Sequence, residues 1–197
     1  GMLPVPAFAE DEPQLNDEGY YLLGTAEDLM WFADKVNNGE DSINAELTAN
    51  IDLSSEEWQP IGYETTYCGS FKGNGFKVTL DAQYDESCDY FAIGFFAYLS
   101  DAKVENLKID GRITVSSESY PYVGGLAGGS YGAEIKNCVN NANITVTSET
   151  AYVGGLIGAD EGGRSKITYC ANHGDVTAEE AQSVGGILGS SISNKVE

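Results

Sequence analysis

A six-residue block, Val-Gly-Gly-Leu/Ile-x-Gly, occurs three times in the second half of the chain, at residues 123–128, 153–158 and 184–189. The spacings are thirty and thirty-one residues, and a degenerate copy lies thirty positions earlier, at residues 93–96. Two more blocks keep the same phase, at residues 103–107, 134–138 and 166–170, and at residues 111–115, 142–146 and 174–178. Self-similarity at a fixed period of this length indicates a repeat protein, in which each repeat packs on its neighbours.

The blocks are short and rich in β-branched residues, and Gly, Asn, Asp and Ser separate them, which is typical of strands joined by turns. A propeller blade of four strands and some forty residues fits this period poorly. In a solenoid, each strand pairs with its equivalent one coil away, so that like side chains stack on like. We therefore predict an all-β fold, a right-handed parallel β-helix (β-solenoid) with about thirty residues and three strands per coil, where a coil is one full turn of the solenoid.

The paired glycines of the repeated block need a structural reason, because glycine inside a strand destabilises it. They imply either that two backbones approach closely at this point or that the chain turns a corner with positive φ. A phosphate-binding loop would require a helix N-terminus directly after the glycines, and a polar loop follows instead. The sequence therefore predicts a structural role for the following residues: Gly124, Gly125, Gly154, Gly155, Gly185 and Gly186.

Cys138 and Cys170 occupy the same position in neighbouring repeats. The coil spacing of about 4.8 Å lies within the range of Cα separations that a disulfide spans. A disulfide and a ladder of buried free thiols are both consistent with this placement. Cys68 and Cys88 flank an excursion from the repeat and could pair with each other. The four cysteines match no metal-binding spacing, and none has the neighbouring histidine that a nucleophile needs.

The first sixty residues follow another pattern. Residues 1–19 contain Ala7-x-Ala9, which is typical of the end of a secretory signal peptide, and Gly1 is typical of a scar left by tag removal. Residues 20–60 predict a strand-helix-strand cap whose helix starts at Thr25 and whose Trp31 and Phe32 pack on the core. Residues 61–197 are assigned to the solenoid repeats, the last coil being incomplete. We expect the protein to be secreted or located at the surface of a bacterial cell.

The charge of the chain restricts its partners. Thirty-one acidic residues against ten basic ones give a net charge of −21. This charge excludes nucleic acid as a partner, because the phosphate backbone would be repelled. No run of eighteen apolar residues exists, so this segment is not expected to insert into a membrane. Solubility is the simplest explanation of the acidity, and no cofactor is predicted. Calcium binding is the alternative, although no Asp-x-Asp-x-Asp-Gly loop is present.

The repeats and the segment before them resemble the GLUG-motif repeat family. The residues that carry the resemblance are the Val-Gly-Gly-Leu-x-Gly blocks, Leu47-Thr48-x-x-Ile51-Asp52-Leu53, Trp58-x-Pro60-Ile61-Gly62 and Gly69-x-Phe71-x-Gly73-x-Gly75-Phe76. Such repeats occur in bacterial surface and adhesin-like proteins and in the non-catalytic parts of immunoglobulin-A-specific metallopeptidases. The resemblance implies a parallel β-solenoid outside the cell, but it does not imply any particular activity. The peptidase signature His-Glu-x-x-His is absent, since His173 is the only histidine.

Three functions remain open on the sequence alone. The first is an adhesin-like module that binds an extracellular glycan or a host or matrix protein, with Tyr120, Tyr122 and Tyr152 as candidate contacts. Stacking of these tyrosines for stability is the alternative explanation. The second is a structural stalk of a larger surface protein. The third is an enzyme acting on polysaccharides, which would use carboxylates from one of two acidic groups: Asp52, Glu56 and Glu57, or Asp81, Asp85, Glu86 and Asp89. We expect no catalytic activity.

Overall fold

The computed structural model describes residues 12–87, 89–117 and 121–192. Its first part contains six elements: β1 (Tyr20–Leu23), α1 (Ala26–Asn37), β2 (Asn44–Leu47), β3 (Ile51–Asp52), β4 (Ser70–Lys72) and β5 (Lys77–Tyr84). The next coil consists of β6 (Ala92–Ile93), β7 (Phe96–Ser100), β8 (Lys103–Glu105) and β9 (Lys108–Ser116).

The following two coils have five strands each. The first holds β10 (Tyr122–Gly124), β11 (Ala127–Tyr131), β12 (Glu134–Lys136), β13 (Val139–Asn140) and β14 (Asn143–Thr147). The second holds β15 (Tyr152–Gly154), β16 (Ile157–Glu161), β17 (Lys166–Thr168), β18 (Ala171–Asn172) and β19 (Val176–Thr177). The described part of the chain ends with β20 (Ser183–Gly185) and β21 (Leu188–Ile192).

The strands form four parallel sheets, which we number in the order in which the coil from β6 to β9 visits them. Sheet I contains β6, β10, β15 and β20, and sheet II contains β7, β11, β16 and β21. Sheet III runs β1-β2-β4-β8-β12-β17, and sheet IV contains β3, β5, β9, β13, β14, β18 and β19. The molecule is thus a parallel β-solenoid of about four coils of about 31 residues, as the repeat spacing predicts.

The prediction of three strands per coil is wrong, because the chain turns a corner inside the repeated glycine block. The block spans the end of β10, a bend at residues 125–126 and the start of β11, so that it supplies strands to both sheet I and sheet II. Gly125 makes this corner possible. A Cβ added there would collide with the side chain of Asn140, which is fully buried behind the bend.

The six glycines of the predicted set all have ordinary φ angles, so the corner does not depend on left-handed backbone. The close-approach explanation fits instead: a Cβ on Gly124 would meet the carbonyl oxygen of Leu156 at 2.6 Å, and one on Gly155 would collide with the backbone of the next coil. Positive φ occurs at a different corner, between sheets III and IV. There Asn106, Asn137 and Tyr169 occupy equivalent positions with φ of 56°, 55° and 54°.

The core is a set of columns that run through the coils. Val123 pairs in register with Ile93 on one side and with Val153 on the other, and Ile144 lies between Ile113 and Val176. These inward positions are fully buried in the central coils. Burial of a branched apolar side chain contributes about 1.5–3 kcal/mol, so each column stabilises the stacking of the coils.

Helix α1 forms near the N-terminus, as the sequence predicts, and buries one face on the core. Thr25 is its N-cap: its hydroxyl accepts a hydrogen bond from the Asp28 amide, and the Asp28 carboxylate accepts one from the Thr25 amide. Phe32 is buried and packs edge-on against Phe71 of β4, which fits the interpretation of cap packing. In the described residues, no helix is long and apolar enough to cross a membrane.

Candidate binding groove

A groove of about 840 Å³ lies on the outside of the first coils, between the segment that follows β3 and the second half of β5 with the segment after it. Six carboxylates line it: Glu56, Glu57, Glu64, Asp81, Asp85 and Asp89. Four aromatic side chains complete the walls: Trp58, Tyr63, Tyr84 and Tyr90. We call this surface the tyrosine–carboxylate groove.

The groove unites the two acidic groups that are separate in the sequence. Glu56 and Glu57 come from the first group, and Asp81, Asp85 and Asp89 come from the second. Asp52 and Glu86 lie outside the lining. The Ser54 side chain and amide hydrogen-bond to Asp52, which lowers the pKa of that carboxyl and fits a role in the local turn.

Trp58 anchors one wall of the groove to the solenoid. Its ring stacks on Phe95 with a centroid separation of 5.3 Å, and its indole Nε1 donates a 3.1 Å hydrogen bond to the Phe95 carbonyl. The Tyr84 hydroxyl in turn donates a 2.7 Å bond to the Trp58 carbonyl. Since Trp58 is only 4% exposed, its role is to fix the segment after β3 in place.

The three tyrosines form one aromatic group in the groove. Tyr90 lies between the other two, with ring centroids 4.6 Å from Tyr63 and 5.8 Å from Tyr84. Burial raises the pKa of Tyr63, and the neighbouring Glu64 carboxylate raises it further. The Tyr63 hydroxyl is therefore neutral at physiological pH, and the three rings offer apolar faces and hydrogen-bonding edges beside the carboxylates.

Two charged groups of the groove have identifiable partners. Arg112 on β9 places its Nε 3.2 Å from Oδ1 of Asp81, although this oxygen accepts no well-aligned hydrogen bond. The Ser87 hydroxyl and amide both donate to Asp85 and lower the pKa of its carboxyl. A general acid in a glycosidase needs a raised pKa, so Asp85 is poorly suited to that role.

The arrangement offers no metal cage in the described part of the chain, since no three His, Cys, Asp or Glu side chains there are grouped as ligands. What the groove offers instead is negative charge next to aromatic faces. That combination attracts cations, both through charge and through the ring quadrupoles.

The predicted tyrosine contacts lie elsewhere, on sheet I. Tyr122 and Tyr152 are in register on β10 and β15, and Tyr120 lies outside the described residues. Their rings meet edge to face at 5.5 Å, and Tyr122 is only 7% exposed because Phe91 also packs on it. Tyr122 thus lacks the open face that stacking on a sugar requires, whereas Phe91, which sequence analysis missed, is 57% exposed.

Tyr98, Tyr122 and Glu161 are joined outside the core. The Tyr98 hydroxyl donates to Oε2 of Glu161 at 2.6 Å, and the Tyr122 hydroxyl donates to Oε1 at 2.9 Å. Gly129 lies directly beneath the Tyr98 ring, and a Cβ there would meet ring atoms at 2.6 Å. Because Gly129 has no side chain, the ring of Tyr98 can lie across the neighbouring coil.

Sequence analysis also missed the tyrosines of the groove, although a signal for them exists. Each one stands beside an acidic residue, in Tyr63-Glu64, Tyr84-Asp85 and Asp89-Tyr90. Such pairs, on loops or at the end of a strand where the chain leaves the repeat pattern, indicate a surface built for contact rather than for packing.

Comparisons with known proteins agree with the fold. Residues 119–147 match the family profile of the GLUG motif, and no curated protein matches the chain. Among solved structures, a "putative immunoglobulin A1 protease" from Bacteroides ovatus is similar with a TM-score of 0.59 and 21% sequence identity. The similarity covers 89% of this chain and 63% of that protein, so this chain corresponds to part of its length. The chain is a parallel β-solenoid that carries a GLUG motif.

Proposed function

We propose that this chain is a non-catalytic β-solenoid module of a secreted or cell-surface bacterial protein, and that it binds an extracellular partner through the tyrosine–carboxylate groove. The observation that carries the proposal is the convergence of six carboxylates and three tyrosines, from segments distant in sequence, around one groove. Segments that leave a regular scaffold commonly carry the contacts of a binding protein.

The chemistry of the groove favours a basic segment of a host or matrix protein. Lysine and arginine side chains gain attraction from the carboxylates and from the faces of Tyr63 and Tyr90. Glycans that carry sulfate or uronate groups would be repelled by the same carboxylates and by the net charge of −21. A neutral glycan is the alternative partner, since tyrosine rings also accept sugars.

The test compares two variants of equal charge. The groove variant carries Glu57→Gln, Glu64→Gln and Asp89→Asn. The control variant carries Glu134→Gln, Glu179→Gln and Glu180→Gln, which are exposed and lie on later coils. Each protein is applied to an array of matrix proteins and of neutral and anionic glycans, and every hit is titrated at 50 and 300 mM NaCl.

We expect saturable binding to a basic matrix protein, weakened at least tenfold in the groove variant and by high salt, and unchanged in the control variant. Equal weakening of both variants would mean that overall charge, and not the groove, is responsible. Binding to no array member would favour the structural stalk, which the continuous in-register pairing of the coils also suits.

A further inference from the structure

Cys138 and Cys170 occupy the same repeat position in neighbouring coils and so lie in one column. They precede β13 and β18, whose first residues, Val139 and Ala171, are paired in register. Leu107 holds the equivalent position one coil earlier and is fully buried. The column thus changes from leucine to two thiols, which fill less of the interior than leucine does.

The two thiols make equivalent contacts one coil apart. Sγ of Cys138 lies 3.5 Å from the Lys136 carbonyl, and Sγ of Cys170 lies 3.3 Å from the Thr168 carbonyl, which is the same position in the next coil. The side chains therefore point the same way from backbones about 4.8 Å apart, a separation that a disulfide spans. Both are free thiols in this structure.

The two sulfurs differ in access and in acidity. Cys138 is fully buried, whereas Cys170 is half-buried. A hydrogen bond from the Cys138 thiol lowers the pKa of Cys170 to about 7, while the same bond and burial raise the pKa of Cys138. The accessible sulfur is therefore the one that ionises first, and the thiolate is the form that reacts with disulfides.

We propose that Cys138 and Cys170 form a disulfide between neighbouring coils, with Cys170 as the attacking thiol and a low-molecular-weight disulfide as the oxidant. The Cys170 thiolate attacks one sulfur of the oxidant RSSR, forming a mixed disulfide and releasing RS⁻, which takes up the proton that Cys170 lost. The Cys138 sulfur, after giving up its proton, attacks the Cys170 sulfur and releases the second RS⁻. Two protein thiols are oxidised and one RSSR becomes two RSH.

The sequence allows a direct test on the whole chain. The lysines and arginines place each of the four cysteines in a separate tryptic peptide, and those of the pair are residues 137–164 and 167–195. The reduced protein is incubated with oxidised glutathione, its remaining thiols are alkylated, and the digest is analysed by mass spectrometry without reduction. We expect these two peptides to be linked.

The single variants test the order of attack. Cys138→Ser should accumulate one glutathione on Cys170, and Cys170→Ser should leave Cys138 unmodified in the folded protein.

The linked wild-type protein should melt about 10 °C higher than the reduced one, since the bond closes a loop of about thirty residues. Cys170 that keeps glutathione in the wild type, or a link from either residue to Cys68 or Cys88, would overturn the proposal. The digest of the wild-type protein tests the disulfide by itself, so a variant that fails to fold does not weaken this test.

Discussion

The Tyr98 hydroxyl lies 2.6 Å from the carboxylate of Glu161, although the two residues belong to coils that are two turns of the solenoid apart. The bond crosses the intermediate coil over Gly129. Adjacent coils are joined by backbone pairing throughout, whereas this contact joins coils that share no strand pairing.

Replacement of Tyr98 by Phe should lower the free energy of unfolding by about 1–2 kcal/mol, because a hydrogen bond to a charged acceptor is lost while the ring stays in place. Urea denaturation followed by circular dichroism measures the change. The control is Tyr131→Phe on the neighbouring coil, whose hydroxyl makes no hydrogen bond within the described residues and whose replacement should change stability by less than about 0.5 kcal/mol. Equal effects of the two replacements would argue against the bond.

The same cluster predicts a loss of stability at alkaline pH. Burial and the Glu161 carboxylate raise the pKa of Tyr98 strongly and that of Tyr122 to about 12. The folded state thus favours the neutral phenols, so their contribution is complete below the unfolded pKa of about 10 and is lost as the pH rises towards 12. Denaturation midpoints at pH 8 to 11.5 should fall above pH 10, and less steeply in Tyr98→Phe. A midpoint that stays constant above pH 10 would contradict the prediction.

Gly125 and Gly186 provide a matched pair, because they occupy the same repeat position in different surroundings. Gly125→Ala should destabilise the protein by about 2–3 kcal/mol, since the new methyl group collides with Asn140 inside a closely packed corner. Among the described residues nothing lies within 4 Å of a Cβ at Gly186, so Gly186→Ala should be neutral or slightly stabilising. Thermal denaturation of the two variants measures the difference. A similar loss of stability in both would mean that close backbone approach does not explain why these positions hold glycine.

Tyr169 offers a route to a more stable protein. It is 81% exposed and has a φ of +54°, in a position that holds asparagine in the two preceding coils. Asparagine tolerates left-handed backbone better than tyrosine, so Tyr169→Asn should raise stability by about 0.5–1 kcal/mol and the Tm by about 1–4 °C. The reverse exchange, Asn137→Tyr, should lower the Tm, because it also removes the hydrogen bond from Asn137 to Asn106. A Tyr169→Asn variant that melts lower would refute this account.

The solenoid could be predicted from the sequence because its stabilising contacts repeat with the coil. Val123, Val153 and Val184 are in register in the structure, as their spacing predicts. The sequence left open whether close approach or a corner with positive φ explains the glycine block, because the answer depends on Asn140, which fills the space beside Gly125 from a later strand. The groove could not be predicted for a similar reason. Its two walls come together through the stacking of Trp58 on Phe95 and the bond from Tyr84, and neither contact repeats with the coil.

The in-register pairing of the central coils has a consequence at the level of the gene. Each of these coils pairs with the following coil through equivalent strands in the same register as it pairs with the preceding coil. An in-frame gain or loss of about thirty-one codons therefore lengthens or shortens the molecule by one step of about 4.8 Å and preserves the backbone pairing between neighbouring coils. Recombination between repeats can in this way adjust the length of the protein while the groove on the first coils stays as it is.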